Sequence, residues 1–241
     1  MDLLRGDSDQ VFGNLSSISA AAHELKSPLT LMRQLSLTLE DGNVSLVDQK
    51  RMLRQISLTS ERALRLTNDL TKIARLSDAL FAMEPINPQQ LCEEIVYELK
   101  PLFAAHDKKV KFKSHRHPLL LVANRDLLRR IIMNFSDNAL NYSDGDLAVE
   151  IQIKALKSGK IIRLGVRDYG PALSADMWQT LREKLAKSNM PIHARPQSSG
   201  LGLFIAGQFA DAMNGKIGVI RHQDGATFYV DLQASRQLSL L

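Results

Sequence analysis

The chain has 241 residues, 44% hydrophobic and 24% charged, with 13 Gly and 8 Pro; this ordinary globular composition excludes disordered, collagen-like and low-complexity classes. No window approaches the roughly 18 consecutive apolar residues of a membrane-spanning helix, and the opening MDLLRGDSDQ lacks a signal-peptide core, so a soluble chain with no membrane span is expected. The net charge of +5 is spread along the sequence and aromatics make up 5%, which argues against direct nucleic-acid binding, and the single cysteine, Cys92, excludes an internal disulfide and fits a reducing cytoplasm.

In the first eighty residues, apolar or small side chains recur at Val11, Leu15, Ile18, Ala22, Leu25, Leu29, Met32, Ser36 and Leu39. The alternation of four and three traces one seam along a helix. A second seam runs through Met52, Ile56, Thr59, Ala63, Leu66, Leu70, Ile73, Ser77 and Leu80. Between them, Asp41-Gly42-Asn43 stops the first helix and Ser45 is placed to cap the next. Two long helices with a short connection make an antiparallel hairpin. Its core is too small to stand alone, so a second copy is expected, completing a dimeric four-helix bundle. The alternative is a monomeric hairpin packed on the downstream domain.

The two prolines of Glu84-Pro85-Ile86-Asn87-Pro88 mark a boundary. Beyond it the periodicity predicts a helix over 89–106, short strands over 109–113 and 119–122, and a helix over 124–142. Alternation at Leu147, Val149, Ile151 and Ile153, a turn at Ser158-Gly159, and alternation at Ile162, Leu164 and Val166 predict two paired strands. A helix over 174–187, a polar segment over 188–199, a helix over 201–213 and a hairpin turning at Asp224-Gly225 complete the chain. Strands and helices without regular alternation predict an α+β layer sandwich.

Four groups of residues could carry chemistry. His23 follows the seam residue Ala22 and should face solvent, while Pro28 removes one backbone hydrogen bond and bends the helix after the histidine. An imidazole beside a carboxylate can act as a nucleophile, with Glu24 taking the ring proton. Asn134 and Asn138 are four apart on one helix face, so both amide oxygens can converge on a hard cation or its waters. Asp168, at the end of an alternating strand, can accept from the exocyclic amine of adenine, and Gly170 lets backbone come close to a flat base. Ser198-Ser199-Gly200-Leu201-Gly202-Leu203 opens a helix, and its exposed backbone N–H groups form a cradle for phosphate. Each group alone has a plainer structural reading: a surface histidine, polar caps, a strand end, a turn.

Taken in order, His23-Glu24-Leu25-Lys26-Ser27-Pro28, Asn134 to Asn138, Asp168-Tyr169-Gly170 and Gly200-Leu201-Gly202-Leu203 resemble the motifs of the sensor histidine kinases of bacterial two-component systems. The resemblance covers nearly the whole chain. It implies a dimerisation and histidine-phosphotransfer hairpin over 8–81 and an ATP-binding domain of the GHKL (Bergerat) type over 85–236. It implies that His23 accepts the phosphoryl group and that Glu24 is its general base. Ser27 stands where the family often has Thr or Asn to orient a hydrolytic water. Asn138 would hold Mg²⁺ on the ATP phosphates with Asn134 in support, and Asp168 would bind the adenine amine. Tyr142, Gly170, Gly200 and Gly202 complete the nucleotide site, under a lid formed by 188–199. The implied partners are a second copy and a response-regulator receiver domain, whose aspartyl phosphate is also the target of a reverse phosphatase activity. The implied location is cytoplasmic, as a short kinase or as the cytoplasmic part of a membrane receptor.

Two positions depart from the family: Ala172 replaces a frequent Gly, and Asn141 a common Lys whose charge Arg195 or His193 could supply. They motivate a second reading, a catalytically weak or phosphatase-biased signalling scaffold. A third reading, a nucleic-acid binder through Arg51, Arg54, Arg62, Arg65 and Arg75, is weakened by the interspersed Glu61, Asp69 and Asp78, which make that helix face an ordinary solvated one.

Overall fold

In the computed structural model the N-terminal rhythm becomes two helices, α1 (Arg5–Glu40) and α2 (Leu46–Ala74), which pack on each other. The structure describes residues 5–74, 76, 81–113, 119–144, 147–187 and 201–235, with side chains from Ala21 onward and without those of His23, Arg62, Ala186 and Lys187. The end of the second seam, Ser77 and Leu80, the lid 188–199 and Gly200 lie outside the described residues. The chain divides into two compact units, Met1–Ala79 and Leu80–Leu241.

The turn between α1 and α2 forms for the reasons its residues dictate. Gly42 takes φ +71°, a left-handed conformation natural for a residue without a Cβ. Ser45 Oγ accepts from the Asp48 N–H at 3.1 Å and donates to Asp48 Oδ2 at 2.7 Å, satisfying an orphan donor at the start of α2. The seam residues Met52, Ile56, Ala63, Leu66, Leu70 and Ile73 are only half-buried. Leu29, Leu53 and Leu64 are 57%, 57% and 62% exposed, an apolar surface that the single chain leaves in water.

The second unit starts with β1 (Glu84–Ile86), where the sequence predicts only a boundary, and continues with α3 (Pro88–Ala104). Asn87 caps α3 by accepting from the N–H groups of Gln89 and Gln90, at 3.0 and 3.3 Å, with Pro88 at the first helical position. β2 (Val110–Lys113) and β3 (Leu121–Ala123) follow, then α4 (Arg125–Tyr142), whose first turn is capped by Asn124 accepting from the Leu127 N–H at 3.1 Å. β4 (Val149–Leu156), β5 (Ile161–Arg167), α5 (Ala175–Lys187), α6 (Leu201–Ala212), β6 (Lys216–His222) and β7 (Gly225–Gln233) complete the unit.

β1 pairs antiparallel with β3, and the other strands form a five-stranded sheet in the order β2-β4-β5-β7-β6. Only β2 and β4 run parallel within it. Alternation sends Val149, Ile151, Ile153, Ile162, Leu164, Val166, Phe228, Val230 and Leu232 into the core, all under 10% exposed. The helical side of that core holds Leu91, Ile95, Leu99, Phe103, Leu127, Ile131, Phe135, Ile205 and Phe209, and the rings of Phe135 on α4 and Phe228 on β7 meet at 6.1 Å. Each such side chain contributes about 1.5–3 kcal/mol by leaving water. The helical hairpin and α/β sandwich agree with the fold class expected from periodicity. Leu147, expected to extend β4 inward, is 58% exposed and precedes the strand.

Cys92 is buried on α3, and burial, with the nearby Glu93 charge adding to it, pushes its thiol up to about 12. It is a packing residue with negligible thiolate at neutral pH. Among the described residues no helix is long and apolar enough to cross a membrane.

Candidate functional site

On the first unit, α1 carries His23 and continues through Pro28, which lies inside the helix. Proline has no N–H, so the Glu24 carbonyl loses its usual i+4 donor one turn below. Glu24 is half-buried and Ser27 is exposed, four residues beyond His23 and therefore on the same helix face.

On the second unit, α4 is the organising element. It packs on β5, β7 and α6, so one helix touches the elements that carry the other two motifs. Asn134 is 6% exposed and Asn138 is half-buried, and the Nδ2 atoms of both are buried without a hydrogen-bond partner. A buried amide left unsatisfied costs about 1–3 kcal/mol. Two of them, one turn apart on one face, point to a ligand at that face. A half-turn of the terminal torsion exchanges amide O and N, so each residue can present an oxygen to a hard cation. Asn138, the more exposed of the two, fits the expected Mg²⁺ ligand. That ion characteristically takes one or two protein oxygens and completes its shell with phosphate and water.

Asp168 lies immediately after β5 and is 3% exposed. Its N–H donates to the Ala226 carbonyl at 3.0 Å, and its Oδ1 accepts from the Ala226 N–H at 3.1 Å. The carboxylate is thus fixed by backbone on β7.

Gly170 has a stronger reason to be glycine than space for a base. A Cβ there would collide with the Tyr142 carbonyl oxygen and approach the carbonyl carbon to 3.0 Å. The close approach joins the end of α4 to the loop after Asp168, and the Asp144 N–H seals it by donating to the Tyr169 carbonyl at 2.9 Å. Tyr142, expected at the nucleotide, therefore contributes its main chain to this junction. Replacing Gly170 by Ala should cost about 1–3 kcal/mol through overpacking, read as a lower denaturant midpoint, with weaker nucleotide binding alongside. Unchanged stability would contradict the tight junction.

Lys108, which sequence reasoning did not single out, donates from Nζ to the carbonyls of Leu140 and Ser143 at 2.7 and 2.6 Å. A cation at the C-terminal end of α4 satisfies carbonyls without helical partners and complements the helix dipole. Its signal in the sequence is faint, because the interaction spans more than thirty positions and depends on the turn at Asp107, which has φ +55°.

Gly202 sits in the first turn of α6, and a Cβ there would meet nothing within 4 Å among the described residues. That open approach to a helix N-terminus suits a phosphate cradle. Ala172 is exposed and is not among the residues with positive φ, so its methyl causes no backbone strain. Asn141 is also exposed. Arg195 and His193, the replacements considered for the missing Lys charge, lie outside the described residues.

Comparison with known proteins follows the same division. Residues 16–79 match the His Kinase A (phospho-acceptor) domain, and residues 123–236 match the histidine kinase-, DNA gyrase B- and HSP90-like ATPases. The chain is 30% identical to the sensor protein kinase PmrB of Pseudomonas aeruginosa, over 86% of its own length and 42% of that protein's. It is 26% identical to the signal transduction histidine-protein kinase BaeS of Escherichia coli, over 90% of its own length and 46% of that protein's. The chain thus spans less than half the length of either relative. Among solved structures, histidine kinase AdeS of Acinetobacter baumannii superposes with a TM-score of 0.62 at 18% identity, covering 88% of this chain and 97% of that one. Histidine kinase ThkA, solved in complex with the response regulator protein TrrA, superposes with a TM-score of 0.64 at 14% identity, covering 98% and 67%. ShkA, solved in complex with AMPPNP, superposes at 0.63 and 21% identity, covering 94% and 48%.

Proposed function

Because the chain belongs to the sensor histidine kinases of two-component systems, we propose that it is an ATP-dependent protein-histidine kinase that phosphorylates its own His23 and passes the phosphoryl group to a response-regulator aspartate. Residues 8–81 are the dimerisation and phosphotransfer hairpin, and residues 85–236 are the ATP-binding domain. An imidazole nitrogen of His23 attacks the γ-phosphorus of ATP. The bond to the β–γ bridging oxygen breaks, ADP leaves with that electron pair, and Glu24 accepts the ring proton. Asp168 orients the adenine, and Asn138, with Asn134 behind it, holds Mg²⁺. The ion neutralises phosphate charge when bound. Ser27, on the His23 face, orients water for the reverse hydrolysis of the regulator's aspartyl phosphate. Gly200 and Gly202 contact the phosphates and Tyr142 borders the nucleotide.

The observation that carries this reading is the pair of buried, unpartnered Nδ2 atoms of Asn134 and Asn138, on the helix that packs on the strand immediately before Asp168. Incubation with γ-labelled ATP and Mg²⁺ tests it: label should enter the chain and then move to an added receiver domain. A chain that binds ATP and stays unlabelled would favour the scaffold reading instead.

The seam of the hairpin, half-buried within the single chain at Met52, Ile56, Leu66 and Leu70 and exposed at Leu29, supports a homodimer through it. Leu66→Ala and Leu70→Ala should each cost about 2–5 kcal/mol of dimer stability once the second copy buries them. Sedimentation at micromolar concentration should give a dimer, and a monomer with full kinase activity would contradict the bundle. The protein is proposed to act in the cytoplasm, on a receiver domain and not on nucleic acid.

A further inference from the structure

We propose that Arg167 is a positioning residue of the nucleotide site. It clamps the backbone of Asp168 to the β6–β7 turn and so sets the aim of the adenine-binding carboxylate. The inference rests on the reading of Asp168 as the adenine ligand.

Arg167 is 6% exposed at the end of β5, a position where an arginine must be well satisfied to be retained. The default partner for it is Glu150, which stands directly across the ladder on β4. Glu150 bonds elsewhere: it pairs with Lys111 at 3.1 Å and Lys113 at 3.5 Å, and accepts from Gln152 at 2.8 Å. The guanidinium is turned instead toward the hairpin turn. Nη1 donates to the Asp168 carbonyl and, at 3.3 Å, to the Asp224 carbonyl, while Nη2 pairs with the Asp224 carboxylate. The guanidinium carbon stands 4.3 Å from the centre of the Tyr169 ring. One planar fork therefore holds the residues on both sides of the site, a task the single ammonium of lysine does not perform.

Gly225 is the third part of the clamp. It has φ +126°, and a Cβ would stand 2.6 Å from Asp168 Oδ1 and 2.8 Å from Arg167 Nη1. The turn is thus pressed against both groups, and the main chain of the neighbouring Ala226 makes the two bonds already described, accepting from the Asp168 N–H and donating to Asp168 Oδ1. Without the guanidinium, the Asp168 carbonyl loses a charge-assisted donor and the strand end can rotate. The carboxylate then loses its aim at the base, while the phosphate end on α4 and α6 keeps its own supports. The defect should be specific to adenine.

The test uses the full chain and compares Arg167→Met, Arg167→Lys, Asp224→Asn and the Met/Asn double variant. ATP and, separately, Mg-tripolyphosphate are titrated, thermal midpoints are recorded, and steady-state autophosphorylation is measured. Arg167→Met should weaken ATP about tenfold and narrow the preference for ATP over GTP, with tripolyphosphate affinity unchanged. KM for ATP should rise with kcat near the parent's. Arg167→Lys should recover little. Asp224→Asn, at a side chain 63% exposed, should weaken ATP about threefold without unfolding, and the double variant should be no worse than Arg167→Met alone.

ATP affinity equal to the parent's in Arg167→Met would overturn the proposal, as would parallel loss of ATP and tripolyphosphate, which marks a plain folding defect. If Arg167→Met does not fold, Asp224→Asn decides, and unchanged ATP affinity there removes the clamp. A parent that binds tripolyphosphate but shows no preference for ATP takes down the adenine reading as well, and so is told apart from failure of the clamp alone.

Discussion

His23→Ala is expected to reduce incorporation of label from γ-labelled ATP to background while leaving ATP affinity at the parent's value. The proposed acceptor and the proposed nucleotide ligands lie on separate units of the chain, so removing the imidazole should take away the nucleophile and leave the adenine and phosphate contacts intact. A missing nucleophile has no partial substitute: Ser27 and Thr30 lie on the same helix, but a hydroxyl at neutral pH needs a base placed for it. Residual labelling at a hydroxyl would be acid-stable, whereas a phosphoryl group on a ring nitrogen is acid-labile. Label that persists in His23→Ala and survives acid would remove the histidine from the mechanism. Loss of ATP binding in the same variant would show that the two units do not divide the work as proposed.

The second large effect is expected at the base. Asp168 is buried, and its carboxylate is held by the Ala226 N–H. A site built to hydrogen-bond an exocyclic amine is left with an unpaired buried group when its acceptor is removed. Asp168→Ala should therefore weaken ATP binding about ten- to a hundredfold and reduce discrimination against GTP. Asn138→Ala should fail differently. It removes the proposed ligand of the Mg²⁺ that would neutralise the phosphates, so Mg-dependent transfer should fall about a hundredfold while metal-free adenine-nucleotide affinity stays close to normal. Titrations of both variants with and without Mg²⁺ separate the two roles. If Asp168→Ala binds ATP as the parent does, its motif is only the end of a strand.

Much of this architecture is legible along the chain because local chemistry decides it. The two seams give α1 and α2, Asp41-Gly42-Asn43 gives the turn between them, and Asn124 gives the start of α4 within a residue. Strict alternation at Ile162, Leu164 and Val166 gives β5 and its buried face. β1 is hidden because Pro85 lacks a donor and three residues make no pattern; its strand character comes from pairing with β3. The parallel pairing of β2 with β4 joins strands separated in sequence by β3 and α4, which no local run encodes.

The same division holds at the site. Residue types and their order single out Asn134, Asn138, Asp168 and Gly170, but not what holds them. Gly170 reads as space for a base, whereas in the fold its first constraint is the Tyr142 carbonyl. Lys108 at the end of α4 and Arg167 beneath Asp168 act across 32 and 57 positions of sequence. The partners of Lys108 are backbone carbonyls, and so are two of those of Arg167, and carbonyls carry no signature in a sequence. Arg167 is marked only by register: outward on β5, it stands opposite a glutamate that two lysines already occupy.

The most direct test of the central claim is to map the phosphoryl group on the intact protein after incubation with Mg-ATP, keeping the digest at alkaline pH. The proposal predicts one phosphoryl group on the peptide containing His23, stable in base and lost in acid. A phosphoryl group on Ser27, Thr30 or any other residue, or none while ATP is bound, would contradict it.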